Sequence, residues 1–313
     1  MEKLAFLFPG QGSQFVGMGQ DLFDGFPEAR ARFEAADALL GFPLTEIMFG
    51  AGGDADAEAE ALKQTDVTQP ALYVHSLAAM AVLDARGRAP AMAAGHSLGE
   101  YSALAAAGAI GFEDGLQMVR LRGQLMAEAG VKRPGTMAAI LGLPDDAVAE
   151  LCRDATEADQ VVHPANFNTP GQVVVSGDVE AVHRAIDLAK ERGAKRALPL
   201  AVSGAFHSPL MDYARDGLGA ALSDLDIRAP RCPVYLNVTA VPSTDPEEIR
   251  QRLLEQLMSP VMWAQTLQNM HADGAERFVE VGAGRVLVGL ARRTLGRTIE
   301  TATAGKAGEL DAL

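Results

Sequence analysis

The stretch Gly95–Gly99 reads Gly-His-Ser-Leu-Gly and fits the Gly-x-Ser-x-Gly pattern of a nucleophile elbow. The small-apolar segment 88–94 before it predicts a buried strand, and the segment 100–108 after it is rich in helix formers. The two glycines permit a tight turn, because they remove Cβ atoms that would collide with neighbouring backbone. Such a turn holds a serine in strained geometry with its hydroxyl exposed, so Ser97 is the candidate nucleophile.

A serine hydroxyl is a poor nucleophile until a base takes its proton, and the six histidines are the candidate bases. His207 lies in a loop after a predicted strand, and such a loop can return to the sheet face that carries the elbow. From this context alone, a catalytic His207 and an ordinary loop histidine are equally open. Structural interpretations are favoured for the other five, which are His75, His96, His163, His183 and His271.

The third member of a catalytic triad is missing from the sequence pattern. An α/β-hydrolase carries an Asp or Glu between its serine and its histidine, and nothing between Ser97 and His207 marks such an acid. A neutral acceptor such as a carbonyl oxygen can also orient a histidine. We therefore expect a Ser–His dyad.

Hydrogen-bond donors must stabilise the oxyanion that forms when a serine attacks an acyl group. Leu98 follows the nucleophile and offers its backbone N–H. The glycine-rich loop 10–12, which follows the predicted strand Leu4–Phe8, is placed to offer a second donor. A dinucleotide-binding interpretation of this loop fails, because Phe15 stands where the third glycine would be required.

The orientation of Arg122 bears on which acyl group the site would accept. The residue lies in a predicted helix, 112–128, among apolar residues. Periodicity alone favours a solvent-facing position, which is usual for arginine. If Arg122 instead faces inward near Ser97, its guanidinium would pair with a carboxylate on the acyl group.

Composition and charge narrow the class of protein. The 313 residues are 48% hydrophobic and carry a formal net charge of −14, which argues against nucleic acid as a partner. No apolar run approaches the roughly 18–20 residues of a membrane span, so no membrane partner is expected. Cys152 and Cys232 show no metal-ligand spacing, and a reduced cytoplasmic setting is the simple interpretation.

Strands alternate with helices over most of the chain, which predicts an α/β fold with a mostly parallel sheet covered on both faces. The predicted elements include a helix over 21–40, a helix over 211–222 and a strand over 234–238. Residues after about Thr301 are expected to form a frayed tail.

The pattern changes between residues 134 and 199. The predicted order there is β-α-β-β-α-β, with a turn at 168–171, and this is the ferredoxin-like arrangement. We expect a ferredoxin-like subdomain over 134–199, inserted into a large α/β-hydrolase-like catalytic domain made of 1–133 and 200–313.

Several motifs, taken together, resemble those of a known family. It is similar to the malonyl-CoA:acyl carrier protein transacylases of type II fatty acid synthesis and to the acyltransferase domains of polyketide synthases. The resemblance covers about residues 4–293. The motifs that carry it, in order, are Phe8–Gln14, Gly95–Ser102, Arg122-Gly123, Asn166–Val173, Gly204–Ser208, Gln256–Trp263 and Glu280–Gly284.

The resemblance implies a role for each matching position. Ser97 would be the acylated nucleophile and His207 its base, oriented by the main-chain carbonyl of Gln256. Gln11 and Leu98 would supply the N–H groups of the oxyanion hole. The remaining two implied roles concern the acyl group: Arg122 would bind the malonyl carboxylate, and Phe206 would crowd the α-methyl group of methylmalonate.

The resemblance also implies the reaction and its partners. The malonyl group of malonyl-CoA would pass through a malonyl-serine to the phosphopantetheine thiol of acyl carrier protein. No cofactor is implied, since the CoA thioester and the phosphopantetheine are substrates, and we expect a monomer. The alternatives are a serine thioesterase or esterase on the same elbow, and a non-catalytic binding module.

Overall fold

The computed structural model describes residues 3–202 and 204–313, and within these ranges the strands form two sheets. The strands are Leu4–Phe8 (β1), Met92–Gly95 (β2), Gly135–Leu141 (β3), Val162–Thr169 (β4), Gln172–Asp178 (β5), Arg196–Pro199 (β6), Val234–Tyr235 (β7), Pro242–Ser243 (β8), Arg277–Glu280 (β9) and Glu300–Thr303 (β10).

Helices cover the sheets. They are Gln20–Gly25 (α1), Pro27–Leu40 (α2), Leu44–Phe49 (α3), Ala55–Ala61 (α4), Thr65–Ala85 (α5), Gly99–Ala106 (α6), Phe112–Lys132 (α7), Asp145–Ala155 (α8), Val179–Glu191 (α9), Arg215–Asp224 (α10), Pro246–Gln256 (α11), Trp263–Ala272 (α12), Val286–Leu295 (α13) and Ala307–Leu310 (α14). A 3-10 helix over Pro209–Ala214 leads into α10.

The larger sheet has six strands in the order β10-β9-β1-β2-β7-β8, all parallel except β8, which is antiparallel to β7. In the centre, Phe8 of β1 is in register with Gly95 of β2. The carboxyl ends of parallel strands meet at one edge, so the loop after β1 lies beside the elbow after β2. This edge is where ligands bind in open α/β sheets.

The second sheet is antiparallel, with the order β4-β5-β3-β6. Strand β3 pairs with both β5 and β6, as a ferredoxin-like β-α-β-β-α-β unit requires. Helices α8 and α9 pack on this sheet around an apolar cluster of their own. The predicted α/β fold class with a second, ferredoxin-like sheet is confirmed. The domain bounds at 134 and 199 remain a prediction.

The expectation of a frayed tail after Thr301 is wrong. Strand β10 pairs in parallel with β9, and the chain continues into α14. Leu310 is fully buried, and its carbonyl accepts a hydrogen bond of 2.5 Å from Arg86. The edge of the large sheet and the end of α5 therefore order the last residues of the chain.

Three other predicted elements differ in their bounds. The helix predicted over 21–40 is broken at Phe26, whose extended backbone (φ −135°, ψ 119°) reflects the restriction that Pro27 places on the residue before it. The helix predicted over 211–222 begins instead as the 3-10 helix described above. The turn predicted at 168–171 starts later, because β4 continues through Thr169.

The strand predicted over 234–238 pairs with β2 only at Val234 and Tyr235. The chain then turns sharply, since the Ala240 N–H donates to the Leu236 carbonyl and the Leu236 N–H donates to the Val241 carbonyl. Asn237 therefore leaves the sheet at its carboxyl edge, beside the elbow.

Across the described ranges, none of the helices combines the length and apolar character that crossing a bilayer would require. Nor do the His, Cys, Asp and Glu side chains described there form a group of three or more that could hold a metal ion.

Candidate active site

The elbow at Ser97 has the strained backbone that the sequence predicts. Ser97 has a φ of 52°, in the left-handed region that residues with a Cβ rarely adopt. A Cβ at Gly95 would lie 1.8 Å from the backbone of Gly99, and a Cβ at Gly99 would lie 2.1 Å from the carbonyl oxygen of Phe8. The turn is thus possible only with glycine on both sides, and it presses the start of α6 against β1.

Ser97 and His207 are in direct contact. The Ser97 Oγ lies 2.7 Å from Nε2 of His207, and Nδ1 of His207 lies 2.8 Å from the main-chain carbonyl oxygen of Gln256. A carbonyl oxygen only accepts, so Nδ1 carries the proton and Nε2 is left to accept the proton of Ser97. This is the arrangement of a serine and its general base, with a carbonyl in place of an acid.

The histidine is neutral in its surroundings. Burial, followed by the positive charge of Arg122, lowers the pKa of His207 to about 3, while the hydrogen bond to the Gln256 carbonyl acts in the opposite direction. His207 is 3% exposed and has a φ of 56°, so its loop, like the elbow, is held in an uncommon conformation. A neutral imidazole at ordinary pH can accept a proton from Ser97.

Arg122 faces inward, although the periodicity of its helix favoured a solvent-facing position. Its side chain is 1% exposed, and its guanidinium donates to the Ser97 Oγ at 3.2 Å, to the Gln69 Oε1 at 2.7 Å and to the Gln256 Oε1 at 2.9 Å. All three acceptors are uncharged. Among the described residues, no carboxylate pairs with this buried cation, so an anionic ligand beside Ser97 would complete its coordination.

A cavity of about 110 Å³, which we name the acyl cavity, opens over the dyad and the guanidinium. Its polar end is formed by Ser97, His207 and Arg122, and the rest of its wall is mainly apolar. It also touches the other site residues that the sequence singles out, Gln11, Leu98 and Phe206, along with Gln69, His96, Met126, Met137, Asn166, Leu200 and Val202. The volume is well below that of a pocket for a drug-sized ligand, which suits a small acyl group.

His96, which precedes Ser97 in the elbow, connects the two sheets. Its Nε2 lies 2.8 Å from the side-chain oxygen of Asn168 in β4, and its ring meets Trp263 edge-on at 5.3 Å. It therefore links the nucleophile turn to the antiparallel sheet, and Asn168 has a structural contact there.

Nearly the whole chain matches a family of known proteins. The acyl transferase domain family matches residues 5–311.

The chain belongs to the acyl transferase family. It is 45% identical to the malonyl CoA-acyl carrier protein transacylase of Escherichia coli strain K12, over 100% of this chain and 98% of that protein.

Solved structures of similar proteins share the fold of this acyltransferase. An acyl carrier protein S-malonyltransferase from Vibrio cholerae superposes with a TM-score of 0.93 at 45% identity, covering 99% of both chains. A malonyl-transacylase solved in complex with its type II polyketide synthase acyl carrier protein superposes with a TM-score of 0.93 at 41% identity, covering 99% of this chain and 98% of that one.

Sequence reasoning missed three side chains of the acyltransferase site. Gln69, Asn237 and Glu100 were not singled out, although Glu100 lies between Ser97 and His207 in the sequence, three residues after the nucleophile. Asn237 binds the elbow directly: its side-chain oxygen accepts from the Ser97 N–H at 2.7 Å, and its side-chain nitrogen donates to the Gly95 carbonyl at 2.6 Å. The position of Asn237 near the end of a predicted strand was the sequence feature that could have identified it.

The histidines set aside from the sequence lie outside the acyl cavity, apart from His96. His75 is fully buried in α5, and burial lowers its pKa to about 4. His183 and His271 are exposed on helices, and His163 is half-buried in β4.

Proposed function

We propose that this acyltransferase moves the malonyl group from malonyl-CoA to the phosphopantetheine thiol of acyl carrier protein, through a malonyl-serine at Ser97. The product, malonylated acyl carrier protein (malonyl-carrier), would supply fatty acid synthesis. The observation that carries the proposal is the buried Arg122 guanidinium beside the Ser97 hydroxyl, with neutral partners only. The names of the full-length relatives point the same way.

The first half-reaction acylates the enzyme. The Ser97 Oγ attacks the thioester carbonyl of malonyl-CoA while Nε2 of His207 takes the hydroxyl proton. The tetrahedral oxyanion then collapses, the carbon–sulfur bond breaks, and the CoA thiolate leaves with the proton from His207. The products are malonyl-Ser97 and free CoA.

The second half-reaction reverses these roles with another thiol. His207 takes the proton of the phosphopantetheine thiol, whose sulfur attacks the acyl-serine carbonyl. Collapse of the second oxyanion breaks the bond to the Ser97 Oγ, and the proton returns to that oxygen. One thioester is consumed and one is formed, so the transfer needs no cofactor.

The backbone N–H groups of Gln11 and Leu98 are the proposed oxyanion donors. Both residues line the acyl cavity on the side of the elbow. Leu98 precedes the first residue of α6, where the helix dipole also favours negative charge, and Gln11 lies in the loop after β1.

Selection of the acyl group is assigned to two residues. Arg122 would pair with the malonyl carboxylate, which an acetyl group lacks. The ring of Phe206 lines the same small cavity and is 6% exposed, so an α-methyl group on the acyl chain would have to displace it.

The experiment that tests this function separates transfer from hydrolysis, since the same elbow could serve a thioesterase or esterase. Malonyl-CoA is supplied with and without phosphopantetheinylated acyl carrier protein, and both free malonate and malonyl-carrier are measured. A transferase makes malonyl-carrier only when the carrier is present and releases little malonate. Release of malonate at a rate indifferent to the carrier would instead establish hydrolysis.

The carrier's docking surface is proposed at a groove that brings together two basic side chains distant in the sequence. Lys195 and Arg293 both line a groove of about 470 Å³, and Arg293 donates to the Gln172 Oε1 at 3.1 Å. The groove includes Thr169, next to Asn168, which contacts His96 of the elbow. An acidic carrier would find positive charge there despite the negative bulk charge of the enzyme.

Charge reversal tests this groove. Lys195→Glu should slow malonyl transfer to the carrier while leaving acylation by malonyl-CoA unchanged. Lys190→Glu is the matched control, because Lys190 is exposed and already paired with Asp187 at 3.0 Å. An unchanged transfer rate in Lys195→Glu would remove the groove from the proposal.

We also propose a cytoplasmic setting, in which Cys152 and Cys232 stay reduced. Both are buried as free thiols, and burial raises the pKa of each, to about 12 and about 11.

A further inference from the structure

A fully buried carboxylate lies one helical turn after the nucleophile. Glu100 is 0% exposed, and its Oε2 accepts two hydrogen bonds, from the Asn237 N–H at 3.0 Å and from the Gln256 Nε2 at 2.9 Å. Burial raises the pKa of Glu100 to about 7, although both hydrogen bonds and the charge of Arg122 favour the ionised form. The backbone N–H of Glu100 donates to the Ser97 carbonyl oxygen at 3.0 Å, but its carboxyl does not line the acyl cavity, and the proposed reaction leaves that carboxyl without a role.

Asn237 and Gln256, which donate to the Glu100 carboxyl, also form hydrogen bonds with the backbone of Ser97. The Asn237 side-chain oxygen accepts from the Ser97 N–H, as described above. The Gln256 Nε2 donates to the Ser97 carbonyl oxygen at 3.0 Å as well as to Glu100. Both peptide groups of the strained serine are therefore fixed by residues that bind this one carboxylate.

The orientation of the Gln256 side-chain amide decides whether its oxygen or its nitrogen faces the Arg122 guanidinium. An amide has a donor end and an acceptor end, and either end could face Arg122. The Glu100 Oε2 accepts whether or not the carboxyl is protonated, since its other oxygen is the one without a partner among the described residues. The donor end of Gln256 must then face Glu100, which turns its Oε1 towards the guanidinium.

We propose that Glu100 is a positioning residue for acyl selection: it fixes the orientation of the Gln256 amide, and through it the direction in which the Arg122 guanidinium points beside Ser97. With the amide turned over, Nε2 would face the guanidinium, and two donors would meet without an acceptor. Arg122 would then leave its place beside the acyl group. This inference rests on the proposed function, because it concerns the same malonyl-binding group.

A purely structural role is the competing explanation, and the chain offers a matched control for it. Glu280 is also 0% exposed, and burial also raises its pKa to about 7. One of its oxygens accepts from the Val288 N–H in the first turn of α13, and the other has no partner among the described residues. Replacing it by Leu removes a buried carboxyl with a similarly raised pKa, away from Arg122.

The test compares Glu100→Leu with Glu280→Leu, because leucine has no oxygen to accept from the Gln256 amide. For each variant, kcat/KM for acylation of Ser97 is measured with malonyl-CoA and with acetyl-CoA, together with the melting temperature. Glu100→Leu is expected to lower the malonyl-to-acetyl ratio about tenfold, as loss of one hydrogen bond to a charged group would. Glu280→Leu is expected to change the melting temperature and leave the ratio unaltered. Equal ratios in wild type and Glu100→Leu would overturn the proposal.

A second variant keeps the proposal testable if Glu100→Leu does not fold. Gln256→Leu removes the side-chain amide but keeps the main-chain carbonyl that binds His207. It is expected to show the same loss of malonyl preference, and retention of the wild-type ratio in it would overturn the proposal by itself. In the double variant, Glu100→Leu should add no further loss of malonyl preference, because Glu100 acts through the amide that is already gone.

Failure of the inference and failure of the proposed function look different. If the wild type forms no malonyl-carrier at all, the function is wrong. If the wild type transfers malonyl selectively and the two substitutions leave that selectivity intact, only the role of Glu100 is wrong.

Discussion

The guanidinium of Arg122, in helix α7, donates to the Ser97 hydroxyl at 3.2 Å, across 25 positions of sequence. A cation in contact with a nucleophile would hinder a reaction on neutral acyl groups, since it withdraws electron density from the attacking oxygen. It suits a reaction in which the acyl group brings an anion of its own. On that basis we propose that the site selects its acyl group by charge.

Arg122→Ala should lose the preference for malonyl-CoA over acetyl-CoA while Ser97 is still acylated. A hydrogen bond to a charged group is worth roughly 1.5–3 kcal/mol, so the ratio of kcat/KM values should fall about 10- to 100-fold. Arg120→Ala is the control, because Arg120 pairs with Asp66 at 3.0 Å instead of reaching the cavity. Undiminished discrimination in Arg122→Ala would remove Arg122 from this role.

Phe206→Val should admit methylmalonyl-CoA. The smaller side chain frees space in a cavity of about 110 Å³, and room for one extra methyl group is worth roughly 1–3 kcal/mol. Acylation by methylmalonyl-CoA should rise at least about tenfold relative to malonyl-CoA, measured as adduct formed on the intact protein. A ratio equal to that of the wild type would show that other groups exclude the methyl.

The sequence predicts the parts of the site that depend on local patterns. A strand, two glycines and a helix are enough to place Ser97 in an elbow, and a loop after a strand is enough to make His207 a candidate. The inward direction of Arg122 was not predictable, because it depends on partners in α5 and α11 that no periodicity in α7 reveals. The hydrogen bond of Ser97 to Asn237 spans 140 positions and is likewise a property of the assembled sheet.

The tail shows the same limit. The last strand, β10, is short and polar, and its sequence predicts a loop. It forms a strand because it pairs with β9, which supplies its backbone hydrogen bonds. Edge strands of this kind are defined by their neighbour.

Gly99→Ala should destabilise the protein, whereas Gly289→Ala should not. A Cβ at Gly99 would lie 2.1 Å from the Phe8 carbonyl oxygen, so β1 and the elbow must separate, at a cost of about 1–3 kcal/mol. At Gly289, inside α13, the nearest atom is 4.0 Å away, and the change should stabilise by up to about 1 kcal/mol. Denaturant titrations measure both, and equal stabilities would contradict the described packing of the elbow.

Stability should depend on pH through His207. Its pKa is lowered from 6.5 to about 3 by burial and then by Arg122. Between these values the unfolded chain binds a proton that the folded chain does not. The contribution of His207 is therefore fully present above pH 6.5, and it is lost towards acid by about 1.4 kcal/mol per pH unit.

The measurement compares wild type with His207→Asn by denaturant unfolding near neutral pH and in mild acid. The difference in unfolding free energy between them should shrink as the pH falls. Taking the difference removes Glu100 and Glu280, whose raised pKa values act in the opposite direction. A difference that does not vary with pH would mean that His207 is solvated and protonates at its ordinary pKa.

The most direct test of the account is the intact mass of the protein after incubation with malonyl-CoA and then with phosphopantetheinylated acyl carrier protein. We predict that the wild type gains one malonyl group, that Ser97→Ala gains none, and that the added carrier removes the group from the enzyme and carries it as its own mass increase. An adduct that persists in Ser97→Ala, or a malonyl group that leaves the wild type as free malonate when carrier is present, would contradict the claim that Ser97 carries malonate between two thiols.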